Sequence, residues 1–244
     1  MDVKRNPNRI WTMNGQGETM AKYLEETKLC DWRNPELQAK VMEVTAGADT
    51  FKEKAVRIFY YVRDNIRFSL AYSRSKASQT LKKGYGECGT KTNLQVGMLR
   101  AVGIAARYRW VEAESVILEH LVEGFVYKQM PPKVSHFWCE CFLDGKWISC
   151  EALLDRALYE GMLQAGLITE EEIATIDWDG ERDLVLLRRW ITKERGVLAS
   201  YDDVVKVLQA SEEGMPPIWL ERVIAPVFYR LNLRHTEKIR RLVQ

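Results

Sequence analysis

Three residues of this 244-residue chain could together perform covalent chemistry: Cys88, His136 and Glu151. Cys88 lies in Gly84-Tyr85-Gly86-Glu87-Cys88-Gly89-Thr90, where a glycine-rich loop runs into an apolar-periodic segment. His136 and Glu151 follow in what reads as a β-hairpin. A thiol, an imidazole and a carboxylate are the minimum set for acyl transfer through a cysteine nucleophile. The thiol attacks a carbonyl, the imidazole takes its proton, and the acid holds the imidazole in the required tautomer.

The elements that must position them follow from local patterns. After Cys88, apolar residues at Leu94, Met98, Leu99 and Val102 and a stop at Gly103 predict a helix ending in glycine. Cys88 falls at its N-terminus, where the dipole and the free N–H groups are expected to lower the thiol pKa. Glycines at 84, 86 and 89 would permit unusual backbone angles and close approach of a substrate. The stretch from His136 to Leu143 is β-rich and ends at Asp144-Gly145, the preferred two-residue hairpin turn, with the return strand running from Lys146 to Glu151. Such a turn sets the register: Leu143 faces Lys146, Trp138 faces Glu151 and His136 faces Leu153. Side chains alternate, so His136, Trp138, Glu140 and Glu151 share one face, with Glu151 the diagonal neighbour of His136. Glu151 is therefore the expected acid, and Asp155, one pair beyond, the reserve. The other face receives Phe137, Cys139, Cys141, Ile148 and Cys150. These cysteines read as inert core thiols rather than a metal site, because no fourth ligand has suitable spacing.

Around this centre the chain divides into an arm at residues 1–34, a catalytic core at 35–155 and a helical C-terminal extension at 156–244. Asn34-Pro35 and Asp49-Thr50 open two predicted helices, and Ala105 to Glu112 reads as a strand. Leu184 to Trp190 and Pro217 to Leu242 carry helical spacing. His120 and His235 lie in no motif, and Arg188, Arg189, Arg240 and Arg241 read as solvated helix faces. The formal net charge of +2 is too small for a nucleic-acid footprint. No run of about 18 apolar residues is present, so no membrane span is expected. The start lacks a signal-type apolar core and the five cysteines are odd in number, which makes a reducing, cytoplasmic location the expectation.

Gly86-Glu87-Cys88, the helix end Leu99-Arg100-Ala101-Val102-Gly103-Ile104-Ala105-Ala106-Arg107, and His136-Phe137-Trp138-Cys139-Glu140 resemble, in order and spacing, the transglutaminase-like superfamily. The resemblance covers residues 35–155. Ala105 replaces the family's common proline, Glu151 stands where the family usually has Asp, and Gly89-Thr90-Lys91-Thr92 is more polar than usual, marking a candidate substrate pocket. The resemblance implies a papain-like α+β fold, with the thiol helix packed on an antiparallel sheet and extra C-terminal helices. It implies Cys88 as nucleophile, His136 as base, Glu151 as orienter and the Cys88 N–H as an oxyanion donor. Tyr85 and Trp138 are candidates to line the cleft. The expected function is a cysteine-dependent acyl-transfer enzyme that cleaves or exchanges an amide or ester bond through a thioester, acting on a peptide or small amide or ester. Hydrolysis is favoured over transfer to an amine. No cofactor or metal is implied, and the absence of a calcium-loop spacing disfavours calcium-dependent crosslinking. The alternatives are a catalytically silent binding module and an amide-forming acyltransferase using a carrier-bound thioester. The oligomeric state stays open.

Overall fold

The computed structural model describes residues 20–71, 73–122, 124–210 and 218–243; most of the expected N-terminal arm, residues 1–19, lies outside them. Helix α1 (Pro35–Val44) starts at Asn34, whose side chain accepts from the Glu36 and Leu37 N–H groups. Helix α2 (Phe51–Asn65) opens on a capping box between Thr50 and Glu53. A two-residue strand β1 (Arg67–Phe68), helix α3 (Ala77–Lys83) and strand β2 (Tyr85–Gly86) follow, β2 running parallel to β1. Gly84, left-handed at φ 71°, ends α3 and turns the chain into the Cys88 loop.

Helix α4 (Cys88–Ala101) is the central helix, buried on nearly every side. It buries polar as well as apolar residues, and the polar ones have partners. Asn93 Nδ2 donates to Leu29 O at 3.0 Å, Gln95 Nε2 to Cys150 O at 3.0 Å, and the Arg100 guanidinium to the carbonyls of Glu25, Ala106 and Ala199. These bonds tie α4 to the sheet and to the segments before and after it.

The sheet is built from β3 (Ala106–Glu114), β4 (Lys133–Leu143), β5 (Lys146–Ser149) and β6 (Ile191–Leu198), in the order β5-β4-β3-β6 and antiparallel throughout. The one-turn α5 (Gly124–Tyr127) lies between β3 and β4. Leu143 pairs with Lys146 and Glu140 with Ser149, the register expected from the turn. Asp144 (φ 49°) and Gly145 (φ 83°) both take the left-handed conformation that a type I′ turn needs. Cys139, Cys141 and Cys150 are buried and free, with Cys150 Sγ 3.9 Å from Cys141 Sγ.

The last third of the chain is not wholly helical. Helices α6 (Arg156–Gln164), α7 (Tyr201–Ala210) and α8 (Ile218–Arg240) form, but Ile191–Leu198 joins the central sheet as β6 beside β3. It is an edge strand carrying exposed Lys193, Glu194 and Arg195, with register shifts along it, so neither hydrophobic alternation nor a turn signal announces it. Leu184 to Trp190, read as helical from its spacing, instead follows the end of β5: Leu184 N donates to Ser149 O, and Leu184 O accepts from Glu151 N. Only Arg188–Trp190 makes a 3-10 turn. Arg240 is not solvated as expected. It is buried and forms a bidentate pair with buried Asp155, at 2.9 and 2.6 Å. Residues 20–34 contribute to the core, with Tyr23 packed edge-on against Trp147 and Cys30 fully buried. No helix among the described residues is long and apolar enough to cross a membrane.

Candidate active site

Cys88 is the first residue of α4, and Glu87 is its N-cap. The Glu87 carboxylate accepts from Gly89 N at 2.6 Å and Thr90 N at 2.9 Å, while Thr90 Oγ1 accepts from Glu87 N at 3.1 Å. Two of the helix N–H groups expected to favour a thiolate, those of Gly89 and Thr90, thus also donate to a neighbouring anion. Burial pushes the Cys88 thiol well above its ordinary pKa and the Glu87 charge pushes it further, while the Phe137 and Gly89 N–H groups only partly offset this. This direction is opposite to the expectation from the dipole alone, because desolvation of a sulfur anion outweighs the field of a capped helix end. Glu87→Gln removes the charge and keeps one acceptor for the helix end. Alkylation of native Cys88 by iodoacetamide at pH 7 should then run several-fold faster than in the wild type, since only the thiolate reacts. Unchanged rates across the pH range would show that Glu87 does not govern this thiol.

His136 projects from β4 and is buried; its Nε2 lies 2.8 Å from Glu151 Oε1. The second Glu151 oxygen, Oε2, accepts from Leu186 N at 2.6 Å. Asp155 and Glu140 are engaged elsewhere. Asp155 caps α6 through Leu158 N and binds Arg240, and Glu140 holds Arg107 at 2.6 Å. Of the three acids considered from sequence, the structure brings Glu151 to His136. The Cys88 thiol rests against the N–H of Phe137, the neighbour of His136 in β4. A small crevice joins Cys88, Lys91, Thr92 and Gln95 on α4 to Glu151, Ala152 and Leu153 opposite.

Leu186 was not identifiable beforehand, because it acts through its backbone N–H, which every residue type but proline supplies. The polar run after Cys88 serves chiefly to position α4. Thr90 completes the cap, and Thr92 Oγ1 donates to Phe137 O at 3.3 Å. Buried Lys91 donates to the carbonyls of Arg63 and Ile66 at the end of α2, and burial pushes its pKa down to about 7. Lys91 and Thr92 nevertheless line the crevice.

Gly86 and Gly89 are required by packing of the chain on itself. A Cβ at Gly86 would lie 2.6 Å from Thr90 Oγ1, and one at Gly89 2.8 Å from Tyr201 Oη on α7. Trp138 is buried beside His136, with ring centroids 5.8 Å apart and its Nε1 without a hydrogen-bond partner. Tyr85 is half-buried and stacks on Tyr229 of α8 at 3.4 Å between centroids. Among the described residues no group of three His, Cys, Asp or Glu side chains is arranged to hold a metal.

Residues 38–152 match the model of the transglutaminase-like superfamily. Among curated proteins none matches this chain. Two solved structures are similar in part. One is a proposed cysteine protease from Cytophaga hutchinsonii, with 20% identity and a TM-score of 0.44, over 57% of this chain and 43% of that one. The other is a proposed protease from Parabacteroides distasonis, with 12% identity and a TM-score of 0.37, over 61% of this chain and 31% of that one. The chain therefore spans less than half the length of either. Residues 38–152, which hold the capped cysteine helix and the His–Glu hairpin, are thus similar to the transglutaminase-like superfamily.

Proposed function

We propose that this protein is a cysteine-dependent acyl-transfer enzyme that attacks the carbonyl of a peptide, small amide or ester and releases the acyl group to water in preference to an amine. The observation that carries this is the buried His136–Glu151 pair, its carboxylate also held by Leu186 N–H, with Glu151 lining the same crevice as the cysteine that begins α4. Because an ionised carboxylate only accepts, Nε2 carries a proton toward Glu151, and Nδ1 is the nitrogen left to act as base. The raised thiol pKa means that proton loss accompanies attack. The Cys88 proton passes to His136 as sulfur bonds to the carbonyl carbon, and the oxyanion is met by the Cys88 N–H. Collapse expels the amine or alcohol, which takes the proton from His136 and leaves a thioester. Water, deprotonated by His136, then displaces the sulfur and frees the acid. Hydrolysis leads amine transfer here only as the simpler acceptor chemistry.

The test is acylation by p-nitrophenyl acetate followed by intact-mass and peptide analysis. The wild type should gain one acetyl group on Cys88 with a burst of p-nitrophenol, and Cys88→Ala should gain none. A folded wild-type protein that never acylates Cys88 would instead favour a silent binding module.

A further inference from the structure

Helix α4 carries more of the site than its cysteine. Cys88, Thr92 and Gln95 are spaced four and three residues apart, so they lie along one face of the helix. All three line the crevice that also holds Glu151. Gln95 is 1% exposed, and its amide reaches across to the segment of the acid. Its Nε2 donates to Cys150 O at 3.0 Å and lies 3.3 Å from Cys150 Sγ. One turn earlier, buried Thr92 donates to the carbonyl of Phe137, the residue after His136.

Glu151 needs such a hold. It lies two residues past the end of β5 (Lys146–Ser149), beyond the regular ladder. Cys150 C=O and Glu151 N–H belong to one planar peptide unit. Leu184 O accepts from its N–H at 3.1 Å, and Gln95 donates to its carbonyl. The plane is pinned at both ends, so the Glu151 side chain leaves it in one direction, toward His136 Nε2 at 2.8 Å. The geometry points to Gln95 as a positioning residue: from the helix that begins with the nucleophile, it fixes the peptide that carries Glu151 and so aims the carboxylate at His136. Thr92 holds β4 beside the base from the same helix face. The assignment rests on the acyl-transfer reading above, and Gln95 acts in it through Glu151.

The test is Gln95→Met, which keeps the length and approximate volume of the side chain but removes the donor, leaving Cys150 O buried without it. Acetylation of Cys88 by p-nitrophenyl acetate should slow about 10²-fold at saturating ester, the scale of a small misplacement of a catalytic group. The half-saturating ester concentration should stay unchanged. A second readout needs no turnover. The His136 Nε2 proton held by Glu151 should give a downfield, slowly exchanging proton resonance in the wild type, and in Gln95→Met it should move upfield and exchange faster. Gln95→Asn, whose amide falls one methylene short of Cys150 O, should show the same two changes, and serves if Gln95→Met does not fold. Thr92→Val should slow acetylation and Thr92→Ser restore it. Val41→Ala, buried on α1 and outside the crevice, controls for lost stability and should leave both rate and resonance as in the wild type. A wild-type acetylation rate in the Gln95 variants, an unmoved ring-proton resonance, or equal slowing by Val41→Ala overturns the assignment. If wild-type Cys88 is never acetylated, the acyl-transfer reading fails, and the ring-proton resonance alone decides whether Gln95 aims Glu151.

Discussion

Glu151→Gln is expected to slow acylation of Cys88 by about 10⁴-fold, the scale seen when the acid of a hydrolase triad becomes an amide, with the fold retained. The reason lies in what the carboxylate touches. One oxygen accepts from Leu186 N–H and the other lies 2.8 Å from His136 Nε2, and in the proposed tautomer both sites need an acceptor. Glutamine offers one acceptor and one donor. If its oxygen stays on Leu186, its NH₂ meets Nε2, which must then accept. The imidazole proton moves to Nδ1, and the base is lost. If the oxygen stays on His136, the NH₂ meets the Leu186 N–H, leaving two buried donors opposed. The p-nitrophenol burst and the rate of acetyl gain by mass measure the effect. Asp155→Asn, in the same assay on folded protein, should acylate at close to the wild-type rate, because Asp155 contacts Arg240 and Leu158 rather than His136. Wild-type acylation by Glu151→Gln, or its loss in folded Asp155→Asn, would remove Glu151 from the orienting role.

Arg240→Leu is expected to cost about 3–5 kcal/mol of stability, the usual consequence of stripping one partner from a buried ion pair. Arg240 ends α8 and reaches three parts of the fold. It binds Asp155 through two nitrogens, Phe68 O in β1 at 3.3 Å, and Thr236 Oγ1 at 2.8 Å. Leucine fills the space but leaves the carboxylate of Asp155 buried without its cation. At this chain length the loss corresponds to a fall in Tm of roughly 10 °C, measurable by calorimetry at pH 7. The pH dependence has a definite sign. Burial alone would push the Asp155 carboxyl up, but Arg240, with help from Lys91, holds it below its ordinary value. A depressed folded pKa contributes stability that is present above the unfolded carboxylate value, near 4, and is lost as pH falls through the lower folded value. In the variant the lone carboxyl is raised and relieves itself by protonating. The gap in Tm between wild type and variant should therefore narrow as pH falls from 7 toward 4. A gap that stays constant over that range, or a variant as stable as the wild type at pH 7, would show that the pair does not act as a buried ion pair.

The features legible in the sequence are those decided over a few residues. Asp144-Gly145 accepts left-handed backbone, so it sets the hairpin register as far as Glu140–Ser149; Glu151 lies two residues past the end of β5, where its N–H pairs with Leu184 O. A glycine stop and apolar spacing place Cys88 at a helix start. The remainder was decided by the tertiary structure, because it depends on what lies across space. The thiol pKa turns on how fully the sulfur is desolvated and on where the Glu87 carboxylate folds back, and neither follows from a helix position. The N–H that fixes Glu151 belongs to Leu186, 35 residues away, and carries no side-chain signature. Ile191–Leu198 becomes a strand because β3 presents an unpaired edge to it, not because its own residues alternate. Arg240 has the composition of a solvated helix face, and is buried only because α8 lays it against Asp155 at the start of α6. Local backbone preference is written in consecutive residues; desolvation and long-range pairing exist only once the chain has closed on itself.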